Sequence, residues 1–325
     1  MNIQVTDKKQ IINEIKTKKE IKVKNEVYHK INNKVDRINC NKRKFRNERK
    51  TKFSLEIFPP KKTSNIDTIY ETLEGLQEIQ PDFISVTYGA GGTTNNNKTF
   101  KIAETIKGKY GIESVVHLTS IGLTKTDVLE KLHYLEVAGI KNILALRGDI
   151  PEGYDGSGDF KHASDLINFI HENGNFNIIG ACYPEGHIEC ESKIKDIHNL
   201  KKKVDAGAKQ LITQLFFNND DFYSFREKCH LADINVPIEA GIMPVTNTKQ
   251  INRMATLCGV KVPEKFVKMM DRYGDDPIAI RDAGIAYATD QIVDLIAHGV
   301  EGIHLYTMNN PYIANKIYGF VCNLL

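Results

Sequence analysis

From residue 53 onward, short apolar runs alternate with helix-length amphipathic stretches. The runs FSLEIF (53–58), FISVTY (83–88), SVVHLT (114–119), NILALR (142–147), NIIGACY (177–183), QLITQLFF (210–217), PIEAGIM (237–243) and GIHLYT (302–307) read as eight strands. They are short and rich in β-branched and aromatic residues. In the first, alternation sends Phe53, Leu55 and Ile57 to one face and Ser54, Glu56 and Phe58 to the other. A carboxylate facing a core is costly unless paired, so Glu56 either sits on a wet face or has a chemical task.

The stretches between the runs carry helix signals. SNIDTIYETLEGLQEI offers Ser64 as N-cap with Asp67 three residues on, ahead of Ile66, Ile69, Leu73 and Leu76 on one side. TKTDVLEKLHYLEVAG repeats the device with Thr124 and Asp127, and Gly139 suits the turn that ends the helix. DDPIAIRDAGIAYATDQIVDLIAHG has Asp276 as N-cap, Pro277 in the first turn and Gly299 as terminator.

Comparable strand-end positions recur steadily: Glu56 to Thr87 is 31 residues, Thr87 to His117 is 30, His117 to Arg147 is 30, Arg147 to Tyr183 is 36 and Tyr183 to Gln214 is 31. A steady βα period is what a parallel sheet with helical crossovers requires. Eight such units predict an α/β protein, a (β/α)8 TIM barrel over residues 51–325 with a basic N-terminal extension over residues 1–50.

Charge separates the same two regions. Residues 1–50 hold 16 Lys and Arg against 6 Asp and Glu, a balance of +10, so with +3 for the whole chain residues 51–325 carry −7. The extension reads as a solvated, disordered or partly helical arm; docking to an acidic partner or nucleic acid is the other reading. No apolar run approaches a membrane span and no apolar signal core follows the start, which predicts a cytoplasmic enzyme without membrane association. The cysteines Cys40, Cys182, Cys190, Cys229, Cys258 and Cys322 form no CxxC pair and read as reduced thiols.

Glu56, Thr87, His117, Arg147, Gln214 and His304 sit near the C-terminal ends of apolar strands, where barrel enzymes collect catalytic and ligand groups, and they predict a shared pocket. YGAGGTT (88–94) falls short of a dinucleotide fingerprint because the third glycine position is Thr94, and no Walker loop is present. His187, Glu189, Cys190 and Glu191 crowd together, but without a second ligand cluster or an HExxH spacing no metal is expected.

FSLEIFPPKK, FISVTYGAGGTT, HLTS, ILALRGDIP, GACYPEGH, KKKVDAGA, LITQLFF and GIMPVTNTKQ occur in an order and spacing that resemble the 5,10-methylenetetrahydrofolate reductase family, over residues 53 to about 320. The resemblance implies a (β/α)8 barrel that binds FAD and forms 5-methyltetrahydrofolate, feeding methionine synthesis or one-carbon metabolism. Electrons would come by ping-pong hydride transfer from a reduced donor, NADH or NADPH, with ferredoxin left open.

Residue by residue, the resemblance makes Glu56 the general acid that protonates N10 of the folate, since a partly desolvated carboxylic acid keeps its proton to higher pH. It places Asp149 near flavin N1 and the C2 carbonyl, where negative charge disfavours an anionic reduced flavin and stabilises a cationic substrate, giving this residue catalytic, substrate and cofactor roles. Gln214 and Gln250 fall on substrate-binding positions, Gln214 also meeting the nicotinamide. Thr87, Tyr88, Ala90, His117, Arg147, Gly148, Ala163, Tyr183, His187, Asp196, Asn199 and Lys203 fall on FAD-contact positions; the last three share one helix face.

Departures accompany the resemblance. Asn310 stands where the family commonly has an arginine for the folate glutamate tail, Met254 where a larger stacking residue is common, and His162 where a tyrosine often lies beside the adenosine. The expected partners are the folate substrate and either further copies of the chain or a redox subunit; nucleic acid is not expected. Two other readings stay open on residues alone: another barrel flavoenzyme, proline-dehydrogenase-like, or a redox or nucleic-acid-associated subunit working through the basic arm.

Overall fold

The computed structural model describes residues 51–325 apart from 61–66, 89–95, 151–152 and 154–155. The expected extension over 1–50, the Ser64 cap and Ala90 therefore lie outside the described residues.

Eight strands, β1 (Lys52–Ile57), β2 (Ile84–Val86), β3 (Ser114–Thr119), β4 (Asn142–Leu146), β5 (Asn177–Cys182), β6 (Gln210–Thr213), β7 (Ile238–Ile242) and β8 (Gly302–Tyr306), close into one barrel in sequence order. Every pairing is parallel, including the closing pair of β1 with β8. Among the described residues the helices are α1 (Asp67–Leu76), α2 (Asn96–Tyr110), α3 (Lys125–Val137), α4 (Ala163–Asn173), α5 (Lys193–Asp205), α6 (Asn219–Leu231), α7 (Thr248–Cys258), α8 (Glu264–Tyr273), α9 (Pro277–Ala297) and α10 (Pro311–Val321). None of them is long and apolar enough to cross a membrane.

Local chemistry accounts for the helix ends. Thr124 and Asp127 cap α3 reciprocally, and Gly139 follows at φ +70°. Asp276 Oδ1 accepts from the N–H groups of Ile278 and Ala279 at 2.8 and 3.1 Å, with Pro277 in the first turn of α9.

The strands face two ways. Phe53, Leu55 and Ile57 are fully buried in the main apolar cluster shared with the helices. On the inner face, Phe83, just before β2, and Val115, Leu144, Ile179 and Ile212 of β3 to β6 form an apolar plug, while Ser54, Ser85, Gln210, Glu239 and His304 form a buried polar one.

Two expectations change. The sixth run ends as a strand at Thr213 rather than 217, because Leu215 and Phe217 leave the ladder to pack with Met243, Val245, Ile251 and Phe266. His304 is fully buried in the barrel rather than open to the cavity at the strand tips. Cys182, Cys190, Cys229 and Cys258 are free thiols, as the sequence reading expects.

Candidate functional site

The C-terminal strand tips surround a cavity of about 560 Å³. Its wall takes Glu56 from β1, Thr87 after β2, His117 from β3, Arg147, Gly148 and Asp149 after β4, Tyr183 and His187 after β5, Gln214 after β6 and Tyr306 at the end of β8. The first turn of α4 adds Ala163 and Ser164, and α5 adds Asp196, Asn199 and Lys203.

Gly148 allows β4 to present its neighbours. It sits at φ +91°, and a Cβ there would lie 3.0 Å from Ile121 Cγ2 and 3.1 Å from Thr119 Cβ. Only glycine takes that turn without strain, so the residues on both sides of it, Arg147 and Asp149, reach the same cavity. The Arg147 guanidinium makes a fork with Glu189, Nη1 to Oε2 at 2.7 Å and Nη2 to Oε1 at 3.0 Å, while its Nε donates to the Gly148 carbonyl at 3.1 Å. The Arg147 fork holds the Glu189 carboxyl below the usual range.

Glu56 stands between two imidazoles. Its Oε2 is 3.4 Å from His117 Nε2 and 3.5 Å from His304 Nε2. The first contact has ion-pair distance without hydrogen-bond alignment, and His117 Nε2 is buried without a hydrogen-bonding partner. Burial pulls His117 down to about 4, against an opposing pull from Glu56, so the ring is neutral at physiological pH.

Beneath Glu56, His304 Nδ1 is 2.7 Å from Ser54 Oγ, Ser54 Oγ donates to Glu239 Oε2 at 2.5 Å, and Gln210 Nε2 donates to Glu239 Oε1 at 2.6 Å. Burial raises the Glu239 carboxyl above its usual range, opposed by His304 and Ser54. Gly302 makes room for this side chain, since a Cβ there would lie 2.6 Å from Glu239 Cγ.

The β5 side is held by α5. Asp196 Oδ2 accepts from the His187 N–H at 3.2 Å, and burial raises this carboxyl. Lys203 Nζ donates to the Ala181 carbonyl at 2.9 Å and lies 5.7 Å from the Tyr183 ring centre; burial lowers its ammonium. The His187 ring meets the Tyr183 ring edge to face at 4.6 Å.

Most sequence-derived site residues therefore meet. Tyr88 does not line the cavity, and Gln250 lines a smaller one of about 260 Å³ together with Asn310. Asn310 caps α10, its Oδ1 accepting from the Ile313 N–H at 3.2 Å. Met254 packs against the apolar cluster under α7 and α8, away from the main cavity wall. The sequence reading missed Tyr306, although alternation from His304 points it inward, and the role of Glu189, for which local sequence holds no signal.

A third cavity, of about 530 Å³, lies at the N-terminal side of β7, lined by Tyr223, Arg226, His298 and Glu301 among others. Some of its polar groups are already paired, as in Arg226 Nη2 to Glu301 at 3.8 Å and Tyr223 Oη to Asp294 at 2.7 Å, and it is lined by none of the strand-tip residues singled out from the sequence. Among the described residues no group of three or more His, Cys, Asp or Glu side chains is placed to hold a metal ion.

The family profile "Methylenetetrahydrofolate reductase" matches residues 41–321. The chain is 37% identical over 264 residues to 5,10-methylenetetrahydrofolate reductase of Pectobacterium carotovorum subsp. carotovorum, covering 81% of this chain and 88% of the relative. It is 37% identical over 289 residues to "Methylenetetrahydrofolate reductase (NADH) 1" of Arabidopsis thaliana, covering 84% of this chain but 48% of the plant protein, about half its length. Among solved structures, an uncharacterized protein from Clostridium thermocellum that binds two copies of 5-methyl-5,6,7,8-tetrahydrofolic acid shares the fold, at TM-score 0.60 and 15% identity over 85% of this chain and 96% of its own. A match over most of the barrel, with the strand-tip residues converging on one cavity, leads to one conclusion: this chain belongs to the methylenetetrahydrofolate reductase family.

Proposed function

We propose that the chain reduces 5,10-methylenetetrahydrofolate to 5-methyltetrahydrofolate with FAD as carrier and NADH or NADPH as donor. The observation that carries this reading is the convergence of Glu56, Asp149 and Gln214 on one strand-tip cavity in a member of this family. A plant relative is named for NADH, which supports a nicotinamide donor.

The cavity fits a flavin dinucleotide. Its volume is in the range of cofactor sites. The N-terminal turn of α4 and the cations Arg147, Lys195, Lys202 and Lys203 line the wall that would receive phosphate. His117 Nε2, buried and unpartnered, is a polar atom that a bound group can satisfy. When bound, FAD supplies a two-electron carrier that a nicotinamide can reduce and a folate can oxidise.

The protein's part is binding, charge and one proton. Glu56, whose Oε2 lies between two imidazoles, is the proton donor to N10 of the folate in this reading, opening the five-membered ring to a 5-iminium cation. Asp149, at the cavity wall, places negative charge where that cation is stabilised. Gln214 offers an amide that both donates and accepts to a pterin edge or a carboxamide.

The test is spectroscopic. The purified protein should be yellow, lose its flavin band on anaerobic NADH or NADPH addition, and regain it with methylenetetrahydrofolate. Glu56→Gln should keep the colour and its bleaching by the donor but lose the folate-driven recovery. A colourless protein that refuses FAD, or near-normal folate turnover by Glu56→Gln, would overturn the reading.

A further inference from the structure

The tip of β6 is held in an unusual way. The β6–β7 ladder pairs Leu211 with Ile238 and Ile212 with Glu239 and goes no further, while β7 and β8 stay paired through Gly241–His304 and Ile242–Leu305. The Gly241 N–H donates to Thr213 Oγ1 at 2.8 Å, so the next ladder bond is made to a side chain. The Thr213 carbonyl is instead capped by a side chain from two strands away: Tyr306 Oη, on β8, crosses over β7 and donates to it at 2.6 Å.

That crossing needs a glycine beneath it. A Cβ on residue 241 would overlap the Thr213 carbonyl oxygen and lie 2.7 Å from Tyr306 Oη and 2.8 Å from its Cε2. Burial raises the Tyr306 phenol well above its usual range, so it stays a neutral donor.

The peptide unit so gripped is the one that carries Gln214. Its carbonyl accepts from Tyr306, and its N–H, that of Gln214, donates to the Cys182 carbonyl at 2.7 Å. With both ends fixed, to β8 and to β5, the Gln214 Cα cannot swing. The side-chain Oε1 then accepts from the Leu215 N–H at 2.9 Å, which orients the amide at the cavity wall.

We propose that Tyr306 is a positioning residue for Gln214, acting through the Thr213 carbonyl, with Gly241 as the gap that lets it reach. This rests on the reading of Gln214 as the amide that meets both folate and nicotinamide. A leash on Gln214 then serves both half-reactions alike, unlike a residue that touches the pterin itself.

The experiment uses the flavin-loaded enzyme and Tyr306→Phe, which removes only the hydroxyl. Flavin content should stay at the wild-type level, while KM for methylenetetrahydrofolate and KM for the nicotinamide donor both rise about tenfold, the size expected for one lost buried hydrogen bond. In a Gln214→Ala background, Tyr306→Phe should add nothing further. Gly241→Ala should reproduce the Tyr306→Phe pattern; should it not fold, Tyr306→Phe decides alone.

Unchanged KM values, a rise for folate only, or a full effect persisting in Gln214→Ala would overturn the proposal. Hydrogen exchange separates its failure from that of the functional reading. The Gln214 N–H should exchange about tenfold faster in Tyr306→Phe whatever the substrate, since the capped peptide loses one of its two anchors. Unaltered exchange there would refute the clamp itself.

Discussion

Glu56 Oε2 and His117 Nε2 meet at 3.4 Å, yet the two do not form an ion pair at neutral pH, because burial pulls the imidazole down to about 4. The Glu56 carboxyl thus faces a neutral ring, and the folded state is favoured while that ring stays neutral.

Stability should fall in acid for this reason. The unfolded His117 titrates near 6.5 and the folded one near 4, so between these values the unfolded state binds more protons. The His117 contribution is complete above pH 6.5 and is lost as pH drops toward 4, by up to about 3 kcal/mol. Urea unfolding at pH 7.5 and 4.5 checks this: His117→Asn should lose less stability than the wild type over that interval. Equal losses would place the acid sensitivity elsewhere.

Glu239 should show the opposite dependence. Its carboxyl is raised in the fold by burial, so the unfolded state ionises first and the folded state is penalised as pH rises above the unfolded value. Glu239→Gln keeps an acceptor for Gln210 and a polar neighbour for Ser54 without the charge. Its melting temperature should exceed the wild type's at pH 8, with the gap closing as pH approaches 4.5. A variant less stable than wild type at pH 8 would show that the ionised carboxylate is needed.

The Arg147–Glu189 fork sets up a competition, because a guanidinium engaged by one carboxylate is less available to a phosphate. Glu189 is 53% exposed at its side chain, so the fork is a screened pair, and the effect is modest. Glu189→Gln should tighten FAD binding by no more than about fivefold, read by fluorescence titration of the flavin-free protein. Weaker binding would mean that the fork holds Arg147 ready for the phosphate.

α9 crosses the tip of β7 at one small residue. A Cβ on Gly284 would overlap the Val245 carbonyl oxygen, an atom of backbone that has no rotamer to change. Gly284→Ala, favourable on helix propensity alone, should therefore destabilise by about 1–3 kcal/mol or more. Denaturant midpoints at constant slope measure it; a stabilised variant would mean the helix shifts freely over the barrel.

Much of this molecule is written locally. The eight apolar runs, the Thr124 and Asp276 caps and the glycine terminators are local choices, made by side-chain size, branching and hydrogen-bonding capacity within a few residues. Alternation alone put Glu56 inside the barrel while Phe53, Leu55 and Ile57 packed outward. The steady period made a closed parallel barrel the economical solution, and family motifs pointed to the strand tips as the site.

Tertiary structure decided depth and partnership. His304 and Gln214 lie near strand ends alike, but His304 is sealed below the cavity and Gln214 opens into it. Gln250 turned toward a different cavity with Asn310, and Glu189 came to face Arg147 from 42 residues away. Tyr306 reaches Thr213 across an intervening strand only because that strand carries glycine at the crossing. Such relations depend on barrel closure and on where each hydrogen-bond ladder stops, and periodicity within a single strand contains neither quantity.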